Sequence, residues 1–310
     1  MKFAHIVNPL QVTNPDSDLT YAQPLTLESM RKARSVAAEA GIDVRLVACS
    51  YEEDREAIPP DFLETPLLTD SILEHVEGGP EDVPRKLPLL RDILDRLRDA
   101  APDADYLVYS NIDIGLQPEF YVELERRIRE SGWRAFSVMR HTVADDLRSV
   151  EDLGRIQELP GTPHGGYSCF VFPRSDYERY ALGEVCIGIQ PVSILLILNM
   201  IIQSERFDEE NNARLCFHLG DERSWQAGVF DGYHIWNERH LDDFLAVESK
   251  RIMKNPVSAR IWQAYQCRRS GWVIHNARPK SKARALKLLR TLGFERWIGS
   301  RYRSVKPLRR

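Results

Sequence analysis

Two short apolar runs, residues 2–7 and 42–49, flank a stretch with helical spacing over residues 27–40, and this opening constrains the fold more than any other feature. Thr26 is placed to cap that helix and Gly41 to stop it. Neither run alternates polar with apolar residues, as a strand with one wet face would. A strand, a helix and a second strand of this kind build a parallel sheet covered on both sides. The pattern continues after a long acidic insertion at residues 51–84. Leu87, Leu90, Ile93, Leu94 and Leu97 recur at helical spacing over residues 87–100, a strand is predicted over residues 105–110, and a helix over residues 119–130 follows.

The second half is less regular. Strand-like pieces at residues 135–139, 169–172 and 215–219 are separated by long loops, so mixed strand directions are expected there. Residues 191–202 form the longest apolar run, interrupted by Ser193 and Asn199 and too short to span a bilayer, and read as a buried helix. No Gly/Ser/Pro-rich linker or repeat divides the chain. The expected organisation is one composite domain over residues 1–276 and a tail over residues 277–310.

Charge sharpens that division. The tail carries twelve Lys/Arg and a single acid, Glu295, on a chain whose overall net charge is −4. Leu286, Leu289 and Leu292 share one helical side of it, followed by Phe294, Trp297 and Ile298. A basic amphipathic helix of this type suits an anionic membrane surface as well as it suits packing back on its own domain. Nucleic acid is not expected as a partner, because the acidic body repels it and no known binding pattern is present. The N-terminus lacks the features of a signal peptide, so a cytoplasmic protein is expected, peripheral at the inner membrane surface where the tail engages lipid. Five widely spaced cysteines without a Cys-x-x-Cys pair read as reduced packing residues.

The chemistry concentrates after the strand at residues 106–110, where Asn111-Ile112-Asp113 sits at the carboxyl edge of the predicted parallel sheet, the edge at which α/β proteins bind ligands. In extended backbone Asn111 and Asp113 face the same way, with Ile112 anchored in the core. Oxygen donors so placed suit Mg²⁺ or Mn²⁺ bridging two phosphates. Glycine-rich dinucleotide and Walker signatures are absent, so phosphates must be held in another manner.

At these residues the sequence resembles the GT-A glycosyltransferase superfamily, and especially bacterial glycosyltransferase-like proteins of unassigned substrate. The likeness is carried by residues 105–114, 116–121, 169–174 and 217–221 and spans roughly residues 1–240. It implies a GT-A-like α/β fold, a mainly parallel mixed sheet flanked by helices, and transfer of a sugar from a nucleotide-diphosphate sugar to a carbohydrate or lipid-linked acceptor. Asp113 would hold the metal, His218 would join it as a further ligand, and Asn111, standing where the motif has its first acid, would touch ribose or a metal-bound water. Asn8 and Ser50, at the ends of the first two strands, fall where the superfamily binds base and ribose. Arg85 and Lys86 are placed to reach the diphosphate. Glu184, Asp176 and Asp221 are the candidates for a general base on the acceptor side. Because Asn111 brings no charge, the resemblance also admits a catalytically degenerate domain that binds nucleotide sugar or glycan.

Overall fold

The computed structural model describes residues 1–76, 85–143, 147–211, 213–219 and 230–276. The tail at 277–310, part of the acidic insertion, and Asp221 lie outside the described residues. Two compact units are present, Met1–Ser258 and Ala259–Arg310.

In the first unit β1 (Lys2–Val7), α1 (Leu19–Glu39) and β2 (Asp43–Ala48) form the expected opening, and β1 pairs parallel with β2 along its whole length. The short β3 (Leu63–Glu64) extends this edge. Next come α2 (Leu90–Ala100), β4 (Tyr106–Ser110), β5 (Ile114–Leu116) and α3 (Phe120–Ser131). The later half holds β6 (Ala135–Val143), α4 (Leu153–Glu158), β7 (Thr162–Pro173), α5 (Arg174–Tyr177), α6 (Val192–Gln203), β8 (Phe207–Glu210), β9 (Cys216–Leu219) and α7 (Asp231–Lys254). A last helix, α8, runs over Pro256–Asn276.

The strands join in one nine-stranded sheet of order β3-β2-β1-β4-β7-β6-β9-β5, with β8 added against β6. Among the described residues five of the eight strand pairings are parallel, so the sheet is mixed and mainly parallel. Direction reverses where β4 meets β7, in the half whose pattern was irregular.

Both faces are covered. Phe3 and Val7 of β1 join Leu27, Met30, Ala33 and Ala37 of α1 and Phe120, Tyr121 and Leu124 of α3 in one apolar core. The alternate β1 residues Ala4 and Ile6 are equally buried and face the other way, where α2 packs with Leu90, Ile93, Leu94 and Leu97 inward. As expected of its composition, α6 is buried, and Asn199 within it is satisfied by both backbone groups of Ala181 and by the Leu195 carbonyl.

Helix α1 differs from expectation by starting eight residues earlier and running through Pro24. Burial of Ala22, Gln23 and Leu25 offsets the backbone bond that proline removes. The extra turn has a purpose: the Gln23 amide accepts from the Leu10 N–H at 3.1 Å and donates to its carbonyl at 2.9 Å, fixing the loop after β1. Also unforeseen were β5, the full length of β7, and α7. Gly165 and Gly166 lie within β7.

Candidate active site

Where β4 ends, the chain makes a tight turn through Asn111, Ile112 and Asp113, closed by the Ile114 N–H donating to the Asn111 carbonyl at 3.1 Å, and continues as β5. The motif therefore lies in a turn and not in extended backbone. Asn111 and Asp113 nevertheless line the same cleft, and Ile112 packs on the core.

Pairing brings the next group. Strand β5 runs antiparallel to β9 with Ile114 opposite His218, which sets the His218 imidazole beside the Asp113 carboxylate. Nε2 and Oδ2 are 3.0 Å apart, with the Asp113 side chain 27% exposed and His218 8%. Gly115 makes this pairing possible. A Cβ there would stand 2.2 Å from the Phe217 ring, inside any tolerable contact.

The Asp113 carboxylate has an unusual balance. Burial acts to raise its pKa, but the hydrogen bond and charge of His218 and the charge of Arg140 outweigh it and hold the group below the ordinary range. Asp113 is thus ionised at neutral pH. Its Oδ1 is buried and has no hydrogen-bond partner among the described residues, a costly state that a cation or ligand donor would relieve.

The cleft measures about 500 Å³. Asn8, Arg85, Lys86, Asn111, Asp113 and His218 all line it. Asn8 donates to the Cys49 carbonyl at 2.8 Å and so ties together the ends of β1 and β2. Lys86 lies 3.9 Å above the Tyr51 ring and pairs with Glu53 at 2.8 Å, while the Arg85 guanidinium stacks 5.0 Å from the centre of the Phe230 ring. Further walls come from the loop of residues 10–19, Tyr51, Asp54, Tyr109, Ser110 and residues 187–189. Sequence reading passed over these. Only Ser110, adjoining the motif, and Tyr51, at the end of the second strand, carried a positional signal; the rest depend on tertiary folding.

Ser50 does not line the cleft. It is 1% exposed, and its place at the rim is taken by Tyr51. Asp176 is at the other end of the sheet: β7 runs antiparallel to β4 with Pro173 opposite Tyr106, so α5 begins beyond the amino edge of β4. There Asp176 is buried, bonded to Arg179 and Ser204, each at 2.7 Å, which is a packing role and not a catalytic one. Glu184 is also outside the cleft lining, with its carboxylate 3.7 Å from His75 Nδ1 and its backbone carbonyl accepting from Trp236. Asp221 falls outside the described residues.

A metal ion needs more donors than the described residues provide. No group of three or more His, Cys, Asp or Glu able to hold an ion occurs among the described residues. One carboxylate with an unused oxygen and one adjacent imidazole do fit a cation whose remaining ligands are phosphate oxygens and water. No helix among the described residues is long and apolar enough to cross a membrane.

No family model matches the chain, and no curated protein matches it. Among solved structures it is similar to S. aureus TarS 1–349 in complex with UDP-GlcNAc, at 11% identity and a TM-score of 0.49 over 93% of this chain and 80% of that one. It is similar also to M. tuberculosis glucosyl-3-phosphoglycerate synthase, at 14% identity and a TM-score of 0.42 over 79% and 80% of the two chains. A third is the catalytic domain of Drosophila β1,4-galactosyltransferase 7 in complex with xylobiose, at 8% identity and a TM-score of 0.37 over 71% of each. Sheet order, mixed strand direction and the motif turn at the carboxyl rim together give this chain a mixed, mainly parallel α/β fold with its cleft at that rim.

Proposed function

We propose that this chain is a glycosyltransferase that moves a sugar from a nucleotide-diphosphate donor to a carbohydrate or lipid-linked acceptor. The observation that carries the reading is the Asp113 carboxylate, ionised and with one oxygen unmatched, at the floor of a cleft of nucleotide size. The motif likeness of residues 105–121 agrees with it.

In this reading Asn8 and Asn111 contact the nucleoside, and Arg85 and Lys86 reach toward the diphosphate from the cleft wall. Lys86 exchanges its exposed Glu53 partner for phosphate, an inexpensive trade for a surface pair. Asp113 and His218 would hold a Mn²⁺ or Mg²⁺ ion, which when bound supplies positive charge against the departing diphosphate. His218 orients the Asp113 carboxylate, and Arg140 adds fixed positive charge nearby. Of the three carboxylates considered as general base, Asp221 is retained, three positions after His218 in sequence. Glu184 is the second choice, since the loop that bears it leads into the cleft wall at residues 187–189.

The test is a thermal-shift series with UDP, GDP and dTDP sugars, with and without Mn²⁺, on wild type and Asp113→Asn. Base-selective stabilisation that Mn²⁺ enhances and Asp113→Asn abolishes is the expected result. A panel in which no nucleotide sugar alters the melting temperature refutes the proposal. Asn111 favours a second reading, a binding domain without turnover. Selective binding of one donor with neither transfer nor hydrolysis would establish that instead.

A further inference from the structure

Beneath the cleft floor a chain of three polar side chains crosses the sheet. His5, in β1, is fully buried, with Nδ1 2.8 Å from the Tyr121 hydroxyl and Nε2 2.9 Å from Ser110 Oγ. Tyr121, in the first turn of α3, is also fully buried, among Phe3 and Phe120. Ser110 is the last residue of β4 and lines the cleft. No sequence signal had marked His5.

The protons in this chain can be placed. Burial drives the His5 pKa down to about 3, so the ring is neutral and has one N–H to give. Were that proton on Nδ1, it would point at the Tyr121 oxygen, and the phenolic proton would lie in an apolar core with no acceptor, a costly arrangement for a buried donor. With the proton on Nε2, the tyrosine O–H donates to Nδ1 and Nε2–H donates to Ser110 Oγ, and the one hydroxyl proton left over belongs to Ser110, which lines the cleft, and not to Tyr121 in the apolar core. The serine oxygen is then engaged from inside the protein. Its own proton has no acceptor among the described residues, and Ser110, though only 1% exposed, is one of the residues lining the cleft.

We propose that His5 is a positioning residue: locked by Tyr121 in the Nε2–H form, it turns the Ser110 hydroxyl outward as a donor to a phosphate oxygen of the bound nucleotide. This rests on the nucleotide-sugar reading above. A phosphate oxygen is a natural match because it only accepts, and the hydroxyl proton is the donor that the protein leaves unused. The Ser110 hydroxyl thereby adds an uncharged contact beside Asn111, which brings no charge of its own.

Two measurements on the full chain test it. Nitrogen-15 spectra of the histidine rings should show His5 as the Nε2–H tautomer in wild type; finding the Nδ1–H tautomer overturns the proposal whatever the ligand. Calorimetry should then compare the tightest-binding of UDP, GDP and dTDP with its own nucleoside. Ser110→Ala and Tyr121→Phe, both mild changes, should each weaken the diphosphate about three- to tenfold, the worth of one hydrogen bond, and leave the nucleoside unaffected. The double variant should bind no more weakly than Ser110→Ala alone. Losses that add in the double variant, or that fall equally on the nucleoside, overturn it. A wild type that binds none of the three diphosphates removes the transfer reading and Ser110's ligand with it, while the tautomer still reports on the lock.

Discussion

The two ends of β4 make an instructive pair. At the amino end Asp103, Asp105 and Asp176 are all engaged: Asp103 by Lys2 and Arg45, Asp105 by the Lys2 N–H, and Asp176 by Arg179 and Ser204. At the carboxyl end Asp113 has one oxygen on His218 and the other on no group among the described residues. The residue type is the same, yet of these four carboxylates only Asp113 has a buried oxygen left without a partner among the described residues. Function follows that surplus, and a carboxylate whose bonds are complete serves packing.

The contrast yields its largest test in a pair of substitutions. Asp113→Asn should lower kcat/KM for sugar transfer by about 10²–10³-fold at little cost in stability. Asp176→Ala should instead cost about 1–3 kcal/mol in urea denaturation, by removing the bonds to Ser204 and to the half-exposed Arg179, with kcat/KM of the folded protein unchanged. Exchanged outcomes would break the comparison.

Acid titration probes the floor below the Asp113 end. The pKa of His5 is near 3 folded and about 6.5 when exposed, so the unfolded chain takes up a proton that the folded chain refuses. Stability should fall steadily as pH drops from about 6.5 toward 3, by about 1.4 kcal/mol per unit from this group alone. Urea melts of wild type and His5→Gln across that window measure it, and the variant should show the shallower decline.

Smaller effects sharpen the picture of the rim. Gly115→Ala should cost about 1–3 kcal/mol by driving a methyl into the Phe217 ring, read as a lower melting temperature. His218→Ala should weaken Mn²⁺ activation about tenfold. Because His218 helps hold the Asp113 pKa down, its loss raises that pKa, and the acidic limb of the pH–rate profile should move to higher pH. Lys86→Ala should change stability by less than about 1 kcal/mol, its pair with Glu53 being exposed, while raising KM for the donor.

Much of this was legible in the residues. Unbroken apolar runs foretold β1, β2 and β4, and helical spacing foretold α2, because each buries its pattern locally. The rim motif was found at a strand end, and His218 was singled out from a strand that pairs beside it. Long-range closure was not legible. Asp176 looked as suitable as Asp113 until β7 was seen to run antiparallel, which carries it to the far edge. Ser50 lost its place to its neighbour Tyr51, which lines the cleft where Ser50 does not, beyond the last paired residue of β2. His5 was unreadable for another reason. A histidine amid Ala4 and Ile6 has meaning only once Tyr121 and Ser110 arrive from elsewhere in the chain.

The grip of Gln23 on both backbone groups of Leu10 bears on how such a cleft diversifies. One wall of the cleft is stitched to α1 by its main chain, so the side chains at Val12 and Thr13 can be exchanged without loosening the wall that presents them. A lineage altering its choice of nucleotide has there two replaceable positions on a fixed frame, and a change at Gln23 would forfeit the frame itself.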